Sequence, residues 1–305
     1  MEKKCIICNS SNIKKIINWT PPYKIYWCKN CNLIFTYPLP TEKDLNEFYN
    51  GYLFAKDRAE KIKRWMPLLK MELSRILNID HNEDKGKSFL DFGGGLGLHT
   101  LAAKNLGLNA FYYELDKSAI KFVKKNFNFG DNIIDNKKRL KKKKFHFILA
   151  DNVIEHDRNP ISFIKFLYSL LHKDGILIIK TPNSRNSELL FYPFLIFTLL
   201  KKAKQFNTFF KTIKSFFFRF WPCNPPEHLY AFSKKNLIII LLRLKITKYE
   251  FFYHYTPFFK FLYSSRGKLR KLYFIFDLFI KKFKFVLLKL KFLYPRGITL
   301  RIKKD

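Results

Sequence analysis

Phe89-Leu90-Asp91-Phe92-Gly93-Gly94-Gly95-Leu96-Gly97 is the stretch that decides the fold. Ser88 to Phe92 is an apolar run of strand length with an acid near its end, and His99 to Leu106 has helical spacing, so the glycines fall at a strand-to-helix turn. Glycine suits that turn because the chain bends sharply and a ligand must approach bare backbone at the start of a helix. Alone, the string is a weak signal, because nicotinamide-binding folds carry similar ones. Glu114 sharpens it. It lies seventeen residues past Gly97, closing the next predicted strand, Ala110 to Glu114, where a carboxylate accepts both hydroxyls of a ribose.

Working outward, apolar strands and helices alternate. Lys117 to Lys125 reads as a helix, Phe145 to Ala150 as a strand, Pro160 to Leu171 as a helix and Gly175 to Lys180 as a strand. A weak strand is predicted within Asn128 to Ile134, and Lys137 to Lys144 reads as a solvated turn. A helix at Ser233 to Leu244 and strands at Ile246 to Tyr253 and Gly297 to Lys303 complete the set. This order predicts an α/β, doubly wound domain over residues 88–305. Two Phe- and Lys-rich stretches, read as helical insertions at about 188–221 and 257–295, interrupt it. Upstream, Leu45, Phe48, Tyr49 and Tyr52, then Ile62, Met66, Leu69, Leu73 and Leu77, recur at helical spacing and mark a lead-in over residues 38–87.

The first 37 residues read as a separate zinc ribbon. Cys5-x2-Cys8 and Cys28-x2-Cys31 stand 19 residues apart, the two-knuckle spacing in which four thiolates close a tetrahedron around Zn2+. Short β-rich pieces at Ile13 to Ile17, Lys24 to Trp27 and Leu33 to Thr36 fill the segment. Four thiolates leave no open position for water, so the metal is expected to be structural, supplying folding free energy that so small a core lacks.

Composition bounds the rest. With 305 residues, 48% of them hydrophobic, the chain holds one large domain plus an appendage, which argues against disorder. Lys and Arg outnumber Asp and Glu by 58 to 24, a net charge of +34 that favours anionic partners. Four of the five cysteines sit in CxxC pairs, which is metal arithmetic and not a disulfide framework. The opening residues lack the apolar run of a secretory signal, so the reducing cytoplasm is the expected compartment. The most apolar run, Leu189 to Leu200, is about 12 residues against the roughly 20 a spanning helix needs, so no transmembrane segment is expected.

The glycine loop followed by an acidic second-strand end resembles the class I S-adenosylmethionine-dependent methyltransferase family, and further segments extend the resemblance in order. Ile148-Leu149-Ala150-Asp151-Asn152-Val153-Ile154-Glu155-His156-Asp157 looks like the segment after that family's fourth strand. Leu170 to Asn183, with Gly175 and Pro182, looks like its fifth strand and preceding turn. Pro225 to Leu237, with Glu227, His228 and Tyr230, resembles a segment of the subgroup acting on sugars and small metabolites, some of whose members begin with a similar ribbon. The resemblance implies a seven-stranded Rossmann-like sheet that binds S-adenosylmethionine through Asp91, Gly93, Gly95, Glu114 and Asn152, with Asp131 as the acid after the third strand. Where the family's fourth strand opens Phe-Asp, this chain has Phe145-His146.

The same resemblance puts His156 and His228 near the carboxyl ends of the strands, making them the candidates for a general base, with Glu227 and Tyr230 orienting the base or the acceptor. Three function classes compete. The first is methylation of a sugar hydroxyl or carbon, nucleotide-linked or within a surface glycan. The second is RNA methylation, suggested by the ribbon and the charge, although Asn224-Pro225-Pro226 leads into Glu227 and not the tyrosine of base-methylating enzymes. The third is a non-catalytic scaffold; a small-metabolite or quinone O-methyltransferase is a further alternative to the sugar reading. Phe interleaved with Lys in the two insertions suggests peripheral association with an anionic membrane, in preference to nucleic acid.

Overall fold

The computed structural model describes residues 3–49, 59–80, 82–185, 223–254 and 297–305. Its strands are β1 (Ile13–Asn18), β2 (Lys24–Cys28), β3 (Ile34–Tyr37), β4 (Ser88–Phe92), β5 (Asn109–Tyr113), β6 (Ile133–Ile134), β7 (Phe145–Asp151), β8 (Leu171–Pro182), β9 (Tyr230–Ala231), β10 (Tyr249–His254) and β11 (Gly297–Lys303). Its helices are α1 (Glu42–Tyr49), α2 (Ala59–Leu77), α3 (Leu98–Asn105), α4 (Lys117–Asn126), α5 (Lys137–Lys141), α6 (Pro160–Ser169) and α7 (Lys234–Arg243).

The main sheet runs β10-β11-β8-β7-β4-β5-β6. The pairs among β8, β7, β4, β5 and β6 are parallel, and β11 runs antiparallel between β8 and β10. Both faces are covered, which is why the central strands read as unbroken apolar runs. Successive residues still serve opposite faces. Phe89, Phe147, Leu149, Ile176 and Ile178 pack with Leu73 and Leu77 of α2 and Ala102 and Ala103 of α3. Leu90, Ile148, Ala150, Leu177 and Ile179 pack on the other face with Ile164 of α6 and Leu237, Ile240 and Leu241 of α7. Each such Leu or Ile, removed from water, contributes roughly 1.5–3 kcal/mol.

The ribbon is not free-standing. Its sheet has four strands, β1-β2-β3-β9, and the fourth comes from a distant part of the chain, between β8 and α7. Ile34 pairs with Ala231 and Phe35 with Tyr230. Cys5, Cys28, Cys31, Leu33 and Phe35 belong to the same buried cluster as Leu90, Phe92 and Leu237.

Several expectations are corrected. Lys137–Lys141 is a helical turn and not a loop, because the Asn136 side chain caps the Arg139 N–H at 2.9 Å and Leu140 is buried. Within Asn128 to Ile134 only Ile133–Ile134 pairs, after a 3-10 turn at Gly130–Asn132. β8 begins four residues before Gly175, its first residue Leu171 pairing with Phe145. His146 replaces the family's aspartate at the amino edge of the sheet. Its Nδ1 accepts from the Ser88 N–H at 3.2 Å and lies 2.8 Å from Ser88 Oγ, joining β7 to β4. The two Phe/Lys-rich insertions lie outside the described residues. Among the described residues no helix is long and apolar enough to cross a membrane.

Candidate active site

The loop after β4 is held open by its glycines and tied down from three sides. Gly93 has φ +71°, and a Cβ there would sit 2.6 Å from Val153 Cγ2. A Cβ on Gly94 would meet the Tyr112 ring at 2.7 Å and Asp91 Oδ2 at 2.8 Å. The turn therefore admits no side chain, and it leaves a backbone cradle against which a cofactor can lie. Asp91, 2% exposed, accepts from the Thr100 N–H at 3.0 Å and hydroxyl at 2.8 Å, pinning α3 to the strand end; burial pushes its carboxyl above the ordinary value. Gly95 donates its N–H to Glu114 Oε2 at 2.9 Å, and its carbonyl accepts from Tyr112 OH at 2.6 Å. Glu114 Oε1 accepts from the N–H groups of Leu115 and Asp116. Glu114 thus clamps the loop. It stays partly exposed, and Oε2, which accepts only the Gly95 N–H, keeps a second lone pair for a further hydroxyl donor.

The other predicted cofactor residues divide. Asn152 follows β7 in the left-handed region, φ +56°, and its N–H donates to the Lys180 carbonyl at 2.9 Å; it stands at the carboxyl edge. Asp131 does not join it. It is exposed in the turn before β6, at the amino edge of a strand that runs parallel to β5. The acid at the carboxyl end of β6 is Asp135, beside Glu114, since Ile134 pairs with Tyr113.

The histidines meet. His156 and His228, 72 residues apart, have ring centroids 4.6 Å apart at 72°. His156 Nδ1 lies 2.8 Å from the Glu227 carbonyl, which only accepts, so Nδ1 carries the proton. Burial, with His228 alongside, lowers the His156 pKa to about 4, so the ring is neutral. His228 Nε2 lies 3.6 Å from Glu227 Oε1, whose other oxygen accepts from Asn224 Nδ2 at 3.0 Å. Tyr230 points elsewhere, its hydroxyl donating to the Arg158 carbonyl at 2.9 Å. Glu155 is 1% exposed beside the pair: Oε2 accepts from Thr181 Oγ1 at 3.0 Å, Oε1 has no hydrogen-bond partner, and burial pushes the pKa to about 8. This loop also carries Val153, which covers Gly93, so the histidines border the cradle.

A second buried cluster escaped the sequence reading. Lys180, near the end of β8, bonds Glu72 of α2 at 2.8 Å and Asp151 at 2.9 Å, and His99 Nε2 lies 3.6 Å from Asp151. Burial disfavours the charged ammonium, but Asp151 and Glu72 outweigh it and raise the Lys180 pKa. The available signal was a lysine closing an otherwise apolar strand beside an acid closing the next.

A family model described as a methyltransferase domain matches residues 56–242, which include the glycine loop, the clamp and both histidines. The chain belongs to that methyltransferase-domain family. Similar solved structures include a SAM dependent methyltransferase from Archaeoglobus fulgidus, 17% identical over 78% of this chain and 94% of that one, TM-score 0.48. The plantazolicin methyltransferase BpumL, in complex with a monoazolic desmethylPZN analog and SAH, is 14% identical over 87% and 91%, TM-score 0.46. An O-methyltransferase family protein from Burkholderia thailandensis is 10% identical over 85% and 64%, TM-score 0.43. No curated protein matches the sequence.

In this member of the methyltransferase-domain family the four ribbon cysteines converge, their sulfurs all within 4.8 Å of one another. Cys5 and Cys31 are 3.6 Å apart and Cys8 and Cys28 3.5 Å. A zinc tetrahedron with bonds of about 2.3 Å has edges of roughly 3.8 Å, so the set fits Zn2+. The two knuckles are built alike. In each the residue after the second cysteine is an Asn at positive φ, Asn9 at 58° and Asn32 at 61°, and its N–H donates to the first cysteine's carbonyl at 2.8 Å. Asn tolerates that conformation better than other non-glycine residues.

Proposed function

We propose that this methyltransferase methylates a hydroxyl or carbon of a sugar, with His228 as general base. S-adenosylmethionine, when bound, supplies a sulfonium methyl already activated for transfer. The chain's part is to orient, to exclude water and to move one proton. The bare backbone of Gly93 and Gly94 accepts the cofactor, Glu114 takes the ribose hydroxyls, and Asp135 takes the role expected of Asp131. Asn152 lines the carboxyl edge opposite.

The observation that carries the proposal is the meeting of His156 and His228 beside the cradle, with Glu227 between them in sequence and space. His156 is neutral and hydrogen-bonded to the Glu227 backbone, which suits positioning. His228 is more open to solvent, its side chain 23% exposed, and its imidazolium would be stabilised by the Glu227 carboxylate once it has taken a proton. Tyr230 holds the following loop and takes no part in proton transfer.

The test uses cofactor carrying a labelled methyl group and a panel of nucleotide-linked sugars, lipid-linked glycans, quinones and RNA. Label should enter a sugar-bearing acceptor, and His228→Gln should abolish transfer while leaving cofactor affinity unchanged. Label in RNA alone would overturn the sugar assignment; undiminished transfer by His228→Gln would overturn the base.

A further inference from the structure

The peptide that follows His228 is held from both sides. The Leu229 N–H donates to the Glu155 carbonyl at 2.8 Å, on the loop that carries His156. The Leu229 carbonyl accepts from the Thr36 N–H at 2.8 Å, on the ribbon. One residue thus sets the spacing between the two histidines and hangs it on β3. Beyond it Tyr230 and Ala231 form the fourth ribbon strand.

Asn236 fastens the other end of this segment. It is fully buried, and its Oδ1 accepts from the Ser233 N–H and hydroxyl, both at 2.8 Å, closing the start of α7. Its Nδ2 donates to the Cys31 carbonyl at 2.7 Å. A metal-ligand knuckle and the helix after the histidine segment therefore share one side chain. Arg243, at the end of α7, reaches the first knuckle, its guanidinium donating to the Ile7 carbonyl at 2.7 Å and the Ile6 carbonyl at 3.3 Å. A ribbon that merely decorated the enzyme would have no reason to bond both ends of one active-site segment through buried donors, since a buried donor left without its partner is costly.

We propose that the four-cysteine ribbon is a positioning element of the acceptor site, with Asn236 as the positioning residue that couples the Cys31 knuckle to the His156–His228 pair. Cys5, Cys8, Cys28 and Cys31 would hold a zinc ion, which would fix the Cys31 carbonyl that Asn236 bonds. The inference rests on the proposed role of His228 for its functional meaning, but not for its geometry.

The experiment uses the full zinc-loaded chain with 15N-labelled histidine, in the wild type, Asn236→Ala and Arg243→Ala. Zinc content, cofactor affinity by calorimetry, histidine titration by NMR and exchange of the Leu229 amide are followed together. Asn236→Ala should keep its zinc and bind cofactor within about twofold of the wild type. Its Leu229 amide should exchange at least about tenfold faster, about the equivalent of one lost hydrogen bond, and His156 should titrate upward from about 4 toward the ordinary histidine value. Arg243→Ala, cut from an exposed side chain that does not threaten folding, should move both readouts the same way by less. Leu140→Ala, a buried change on α5, should lower stability and leave the histidines alone. Unchanged exchange and titration in both Asn236→Ala and Arg243→Ala would overturn the proposal. Histidines that move while His228→Gln still transfers methyl would leave the positioning standing and remove the base assignment.

Discussion

Glu155→Gln should turn a pH-dependent weakness of the fold into a pH-independent one. Glu155 is fully enclosed, with one oxygen bonded to Thr181 and the other unpartnered, and burial raises its pKa from 4.5 to about 8. Between those values the folded chain holds a proton that the unfolded chain has released. The native state binds more protons, so stability is full below the unfolded value and falls with rising pH, at about 1.4 kcal/mol per unit, until the folded value is reached. Glutamine occupies the same volume without titrating. Around pH 5 wild type and variant should be equally stable to within about 1 kcal/mol, and near pH 7.5 the variant should be ahead by about 3 kcal/mol. Urea unfolding of both zinc-loaded proteins across that range gives the difference directly, and other titrating groups cancel in it. A gap that stays constant from acid to neutral pH would show that Glu155 is ionised in the native protein, and the reading of its pocket as dry and unpaired would be wrong.

Glu114→Ala removes both the proposed ribose acceptor and the Gly95 tether and should weaken cofactor binding at least tenfold by calorimetry, the equivalent of roughly 1.5–3 kcal/mol of charge-assisted hydrogen bonding. Freshly purified, reduced protein should carry about one zinc by elemental analysis, and Cys28→Ser should lose it. Lys180→Met leaves Asp151 and Glu72 without their counter-charge and should cost about 3–5 kcal/mol of unfolding free energy. Phe→Ser changes within residues 257–295 should weaken sedimentation with anionic vesicles that otherwise persists partly in high salt; binding to RNA but not vesicles would reverse the membrane expectation.

The main sheet was legible because its signals are local. A parallel strand covered on both faces is an unbroken apolar run wherever it occurs, and the glycine loop and Glu114 sit at strand ends that such runs delimit. The misreadings occur where local pattern carries little. β6 has two residues, too few to show a period, so Asp131 before it could not be told from Asp135 after it. The lysine run at 137–141 looks solvated because it is; only Asn136 and Leu140 mark it as helical.

The ribbon shows a different kind of limit. Its metal ligands are paired at short range, so two CxxC knuckles announce themselves, while the partner that completes its sheet is a two-residue strand nearly two hundred positions away. Nothing in Tyr230 or Ala231 marks them as a strand of that sheet, since a pairing so short earns its stability from what it is buried against and not from its own propensity. The same remoteness gives the arrangement its use. Cys31, Thr36, Leu229 and Asn236 bring the second cysteine knuckle to bear on a histidine whose partner histidine arises from a third part of the chain. Because the two rings come from separate loops, neither loop alone can fix their spacing; the Leu229 peptide bonds both Glu155 and Thr36, and so the ribbon enters the geometry of the site.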